Sequence, residues 1–265
     1  MDPSRPADRT RAISQWEGLL ATYRGLAHDL VPVPAVPDLP DMVFAANAAL
    51  VVDGIAIGAR YATAVRAPEA APYRRAIRAA GFDPVHRTEH VNEGEGDLLA
   101  IGDVVLAGTG FRTDVRAHAE VAAITGREVV TLHLVDPRYY HLDTALAVLD
   151  DHTIAYLPDA FAPDSQRELE RRYPDAIIAS HRDAAVLGLN AVSDGRNVVI
   201  NREAEGFADQ LVQRGFVPVP VDLSELRAAG GGPKCCTLEL RPAPEATELR
   251  PAPTDAPEPS EEVAP

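Results

Sequence analysis

The sequence predicts an α/β fold made of a repeated strand–strand–helix–strand unit whose copies close around a common centre. Three observations lead there. Four turn dipeptides lie between short apolar runs, Asp53-Gly54, Gly102-Asp103, Asp150-Asp151 and Asp194-Gly195, and recur about every 45–50 residues. Each is followed by a stretch of helical periodicity and then a further apolar strand. A single unit of this kind leaves sheet faces uncovered, so several copies must pack together to bury them.

In chain order, the first helix carries Ile13, Trp16, Leu19, Leu20, Tyr23 and Leu26 on one face, behind an Asp8 placed to cap it. A short strand follows over 30–34. The first unit reads as strands over 43–52 and 55–59, a helix over 68–80 stopped by Gly81, and a strand over 84–87. The second has strands over 98–101 and 104–107, a helix over 114–125 and a strand over 129–134. The third has strands over 145–149 and 154–157, a helix capped by Asp164 and a strand over 176–179. The fourth has strands over 189–192 and 198–201, a helix over 204–214 and a strand over 217–221. The two ends of the chain then make a fifth unit, with a strand over 236–240 joining the N-terminal helix and strand. One strand of that unit has no counterpart. On the repeat pattern it belongs before Met1; the alternative is an irregular fifth unit.

The chain has 265 residues, enough for one large domain with a sizeable core. Its 40 acidic against 25 basic residues give a net charge of −15, which argues against broad binding to nucleic acid or anionic membranes. No apolar run approaches the ~20 residues of a membrane span, and the N-terminus lacks the basic-then-apolar order of a secretory signal. Cys235 and Cys236 are adjacent, so they form neither a disulfide framework nor a four-ligand zinc site. A cytoplasmic protein is expected. Residues 241–265 hold seven prolines, six acidic residues and two arginines, and the sequence Glu-Leu-Arg-Pro-Ala-Pro occurs at both 239–244 and 248–253. That composition predicts a disordered acidic tail behind a single domain over 1–240, with a proline-rich docking motif as the alternative.

Four stretches carry chemistry. Asp41 and Asn47 flank an apolar run; Glu93, Glu95 and Asp97 sit among glycines; His141 and Asp143 precede a hairpin; Cys235 follows a glycine run beside Lys234. Each has an ordinary structural reading. A lone cysteine is commonly a small buried hydrophobe, a lone histidine a satisfied core group, and acids between glycines a solvated turn. What raises the functional reading is their common place near the starts of repeated strands, which closure around a centre would bring together.

These residues resemble the guanidino-group-modifying enzymes of the pentein fold. The resemblance rests on Pro-Asp-x-Val-Phe at 40–44, Glu-Gly-x-Gly-Asp at 93–97, Phe-Arg-Thr at 111–113, His-Leu-Asp-Thr at 141–144 and Gly-Gly-Pro-Lys-Cys at 231–235, and covers the chain to about residue 240. It implies a five-bladed α/β propeller with a central pocket, a small guanidino substrate such as arginine or a methylarginine, and neither metal nor organic cofactor. It further implies Cys235 as nucleophile, His141 as acid and base, and Glu93 as the carboxylate that orients His141, with Glu95 as the alternative in another register. Asp41 and Asp143 would hold the guanidinium, and Arg112 and Arg66 the substrate carboxylate. Cys236 reads as packing or a secondary thiol.

Two departures bear on the branch. Ala46-Asn47 stands where dimethylarginine hydrolases carry acids, and Phe-x-Ala-Asn-Ala at 44–48 looks more like the arginine dihydrolases, which use an asparagine there. The family's Asn-Pro-Trp-Met-Asp motif ahead of the first helix is reduced to Met1-Asp2-Pro3, which places a substrate-contacting asparagine upstream of Met1. The expected activity is hydrolysis of a guanidino C–N bond. An amidinotransferase and a catalytically dead arginine-binding protein are the alternatives.

Overall fold

Each of the four turn dipeptides closes an antiparallel strand pair, and in each unit a third strand joins in parallel after a helix. The computed structural model describes residues 8–243. After α1 (Arg9–Gly25), the first unit comprises β1 (Ala49–Val52), β2 (Ile55–Gly58), α2 (Ala70–Ala79) and β3 (Val85–Arg87). The second comprises β4 (Leu98–Ile101), β5 (Val104–Thr109), α3 (Val115–Thr125) and β6 (Glu128–His133). The third comprises α4 (Leu142–Ala145), β7 (Leu146–Val148), β8 (Ile154–Tyr156), α5 (Pro163–Arg172) and β9 (Ile177–Ile178). The fourth comprises α6 (His181–Ala185), β10 (Val192–Ser193), β11 (Asn197–Asn201), α7 (Glu205–Gln213) and β12 (Val217–Val221), with α8 (Ser224–Ala228) after it. The result is an α/β fold of four three-stranded sheets, ordered β1-β2-β3, β4-β5-β6, β7-β8-β9 and β10-β11-β12.

Burial separates inner from outer strands. All four residues of β1 and of β4 are buried, whereas β6 alternates between buried and open positions as a strand with one covered face does. The first strand of each unit neighbours the next, β1 beside β4, β4 beside β7 and β7 beside β10. Leu50, Ile57 and Leu98, wholly buried with Val105 and Val121, knit the first two units together; each such side chain contributes about 1.5–3 kcal/mol. Asp8 accepts a hydrogen bond from Arg11 N and caps α1, which packs against α8 through Leu19, Tyr23 and Leu226.

Several sequence expectations are corrected. The strand expected from residue 43 begins only at Ala49, because Pro40–Val43 and Ala45–Ala48 coil into 3-10 turns whose Asp41 and Phe44 carbonyls accept from Arg66. The strand expected from 145 begins at Leu146 behind the single turn of α4. Asp164 lies inside the first turn of α5, whose N-cap is Ala162 followed by Pro163, the position where a missing N–H costs nothing. Residues 30–34 and 236–240 make no strand pairing among the described residues; Leu238 and Leu240 instead pack on Ala49, Val51, Ala56, Ile77 and Val85. The tail from 244 onward, including the second Glu-Leu-Arg-Pro-Ala-Pro, lies outside the described residues. No helix among them is long and apolar enough to cross a membrane.

Candidate active site

The turns leading into the inner strands meet at one end of the fold. Asn47 precedes β1, Glu93 and Asp97 precede β4, His141 and Asp143 lead into β7, Asn190 precedes β10, and Cys235 follows the glycine run. Two glycines make this close approach feasible. Gly94 has φ +52°, and an added Cβ would lie 2.6 Å from the Ala49 backbone; a Cβ on Gly231 would meet the Phe44 ring and come within 2.8 Å of the Cys235 Cβ.

Cys235 Sγ, almost wholly buried, donates to Asp143 Oδ2 at 3.3 Å and accepts from Asn190 Nδ2 at 3.1 Å. Asp143 Oδ1 is buried with no hydrogen-bond partner among the described residues. His141 Nε2 donates to Glu93 Oε2 at 2.6 Å, and the other Glu93 oxygen accepts from Ala62 N at 2.9 Å. Asn47 Nδ2 reaches the Glu93 carbonyl at 3.4 Å, while Asn47 Oδ1 accepts from Arg66 Nη1 at 2.7 Å. Arg112 stands 3.7 Å from Glu93 Oε1 and stacks over the Tyr140 ring at 4.8 Å, with about a quarter of its side chain in solvent.

The electrostatics separate the carboxylates. Burial pushes Glu93 upward, but the hydrogen bond and charge of His141, the Ala62 N–H and Arg112 bring its carboxyl down to about 2. Burial alone would strip His141 of its proton; the charges of Asp97 and Glu93 outweigh it and raise the imidazole above its ordinary value. Asp143 is pushed up to about 6 by burial, against the opposing charge of His141. Burial and then the Asp143 charge drive the Cys235 thiol well above its usual range, so a thiolate here needs help.

The structure thus brings Cys235, His141, Glu93, Asp143, Asn47 and Arg112 together. Asp41 contributes its carbonyl to Arg66, and its carboxylate makes no hydrogen bond or ion pair among the described residues. Arg66 is buried with its guanidinium engaged by Glu69 at 2.8 Å, Asn47 and the carbonyls of Asp41 and Phe44. Glu95 faces away from His141 into a separate buried cluster, accepting from Lys234 Nζ at 2.7 Å and Arg241 Nη1 at 2.9 Å, with Glu239 completing it. Cys236 is half-buried and packs beside Leu19, Val192 and Leu226.

Sequence reasoning missed Asn190, Asp97 as a fixed group, and Tyr140. Asp97 takes hydrogen bonds from Thr113 Oγ1 at 2.7 Å and Leu142 N at 3.1 Å, and so ties the turn before β4 to α4. One signal was present for Asn190: it stands two residues before β10, as Asn47 stands two before β1. Among the described residues no group of three or more His, Cys, Asp or Glu side chains is arranged to hold a metal ion. A cavity of about 320 Å³ lies at the other end of the inner strands, lined by Asp150, Asp194, Lys234, Glu239 and Arg241.

The site thus gathers a buried thiol, a buried His–Glu pair and a buried carboxylate of which one oxygen touches the thiol and the other has no partner among the described residues. No family model matches the chain. It is 54% identical over 242 residues to the N(G),N(G)-dimethylarginine dimethylaminohydrolase of Mycobacterium tuberculosis, covering 91% of this chain and 80% of that protein. It is 33% identical over 239 residues, 88% of its length, to the bifunctional arginine dihydrolase/ornithine cyclodeaminase ArgZ of Synechocystis, of which it spans only 34%. The solved N-terminal domain of ArgZ, covalently bound to a reaction intermediate, superposes with a TM-score of 0.83 at 33% identity, covering 89% of this chain and 88% of that one. The chain belongs to the guanidino-group-modifying enzymes of the pentein superfamily.

Proposed function

We propose that this chain is a hydrolase that uses Cys235 to cleave the guanidino C–N bond of free arginine or a methylated arginine. Asp143 carries the reading: one carboxylate oxygen touches the thiol and the other is buried without a partner. A guanidinium offers paired N–H donors in the planar fork such a carboxylate accepts, and held there it presents its carbon to Sγ. The substrate's charge favours the thiolate, whose proton leaves to solvent.

The thiolate electron pair then forms a bond to the guanidinium carbon. As the C–N bond breaks, the leaving nitrogen takes a proton from His141 and departs as amine or ammonia, leaving a thiouronium on Cys235. His141 Nδ1 has no protein partner among the described residues, while Nε2 is held by Glu93. The neutral imidazole next takes a proton from water, hydroxide adds to the thiouronium carbon, and the C–S bond breaks to return the thiolate. Arg112, about a quarter in solvent above Tyr140, takes the substrate carboxylate in this reading, and Arg66 fixes Asn47.

In this reading the four sheets are blades of a five-bladed propeller, completed by 236–240 and the N-terminal segment, with residues 1–240 as one catalytic domain. That is supported by α1 packing on α8 and by Leu238 and Leu240 packing on the first unit. A nucleophilic thiol works only while reduced, which fits a cytoplasmic setting.

The test is mass spectrometry of the chain incubated separately with arginine and asymmetric dimethylarginine, alongside Cys235→Ser. Citrulline from dimethylarginine identifies a dimethylargininase; ornithine, ammonia and carbon dioxide from arginine identify a dihydrolase. Turnover that survives Cys235→Ser, or no turnover of either substrate by folded protein, overturns the proposal.

A further inference from the structure

We propose that Asn190 is a further catalytic residue of this site, its side-chain amide donating to Cys235 Sγ and holding the sulfur as thiolate. This rests on the reading of Cys235 as nucleophile. Asn190 is wholly buried and all of its hydrogen-bonding capacity is in use. Its Oδ1 accepts from Gly232 N and from Cys235 N, each at 3.0 Å. Its Nδ2 donates to the Asp143 carbonyl at 3.0 Å and to Cys235 Sγ at 3.1 Å. Two backbone N–H groups on one side and a carbonyl on the other fix which end of the amide is which, since a flipped amide would set donor against donor and oxygen against oxygen. An N–H must therefore face the sulfur.

The environment makes that donor consequential. The ionisable groups around Sγ are Asp143 on α4, Tyr140 just before it and the adjacent Cys236, and burial together with the Asp143 charge disfavours the thiolate. Among the described residues Asn190 is the one side chain that donates to the sulfur. A buried neutral donor stabilises an anion without adding a charge that would repel a guanidinium. The same residue clamps the Gly232–Cys235 turn, so the nucleophile is aimed and activated by one group.

The two roles separate by substitution. Asn190→Asp keeps an oxygen for the Gly232 and Cys235 N–H groups but turns a second oxygen toward the sulfur; Asn190→Ala removes both functions. The measurement is the pH dependence of iodoacetamide alkylation at Cys235, read by peptide mass spectrometry in a Cys236→Ser background, with folding checked by circular dichroism. Asn190→Ala should raise the alkylation midpoint by about one pH unit or more, and Asn190→Asp should raise it further. An added carboxylate beside Sγ raises the midpoint whatever the amide does, so Asn190→Ala carries the test: a midpoint left at the parent's value in the folded variant means a purely structural role and overturns the proposal. Should Asn190→Ala not fold, Asn190→Leu, which fills a similar volume without a donor, is read in its place, and an unmoved midpoint there overturns the proposal. Failure of the underlying reading shows differently, as turnover that survives complete alkylation of Cys235 in the parent.

Discussion

Glu93 Oε2 lies 2.6 Å from His141 Nε2, with both side chains almost wholly withdrawn from solvent. The pair is mutually stabilising: the imidazolium brings the carboxyl down to about 2, and the carboxylate, with Asp97, keeps the imidazole protonated against burial. Glu93→Gln preserves shape and removes the charge. His141 should then lose its proton at lower pH, so the alkaline limb of kcat/KM moves down and kcat falls by about a hundredfold or more. A pH–rate profile of both forms checks this, and an unmoved limb would remove Glu93 from the role.

Asp143 sets the other limb and a stability cost. Its carboxyl titrates at about 6 instead of 3.8, so the native state holds a proton that the unfolded chain releases. Stability is therefore lost as pH rises through that window, by about 3 kcal/mol in full above pH 6. Asp143→Asn should raise the melting temperature at pH 8, with the advantage fading toward pH 4. Turnover should collapse in the same variant. In the parent, kcat/KM should rise with pH through about 6 as the carboxylate forms. A variant less stable than the parent at pH 8 would contradict the assignment.

The repeat was legible because Gly and Asp turns between β-branched runs are local signals, and four of them recur at one spacing. The segment over 43–48 was not, since its coiling depends on Arg66, about twenty residues on, gripping the Asp41 and Phe44 carbonyls. In the sequence Glu93 was chosen over Glu95 by its resemblance alone. The positive φ at Gly94 turns the chain between them, sending one to His141 and the other to Lys234. Asn190 belongs to no motif, and its significance comes from partners more than forty residues away in sequence. Long-range contacts, not local propensity, decided what was missed.

The two arginines should respond differently. Arg112 is partly exposed beside Glu93 and Tyr140, whereas Arg66 is buried on Glu69 at 2.8 Å. Arg112→Ala should raise KM about tenfold or more with a smaller effect on kcat and on stability. Arg66→Ala leaves the Glu69 carboxylate buried without its partner and should destabilise the fold by about 3–5 kcal/mol. Steady-state kinetics and urea denaturation of both variants separate the cases. Equal KM effects with unchanged stability would place both on the substrate.

Lys234 sits beside the nucleophile in sequence but acts in a different place, with Nζ 2.7 Å from Glu95 and 2.5 Å from Glu239. Arg241 bonds the same two carboxylates, so two cations and two anions balance, with Lys234 and Glu95 buried and Glu239 and Arg241 partly open to solvent. Lys234→Met leaves two carboxylates facing one guanidinium, and should cost about 3–5 kcal/mol at pH 7. Burial raises Glu95 above the ordinary carboxylate value even with both cations present, so without the lysine it should take up a proton more readily still. The deficit should therefore shrink as pH falls toward 5. Adding Glu95→Gln to Lys234→Met should recover part of it at pH 7, because the second substitution removes the charge that the first left unpaired. Urea unfolding of the parent, the single and the double variant at both pH values tests this. Additive losses in the double variant would mean that Lys234 and Glu95 stabilise the fold independently.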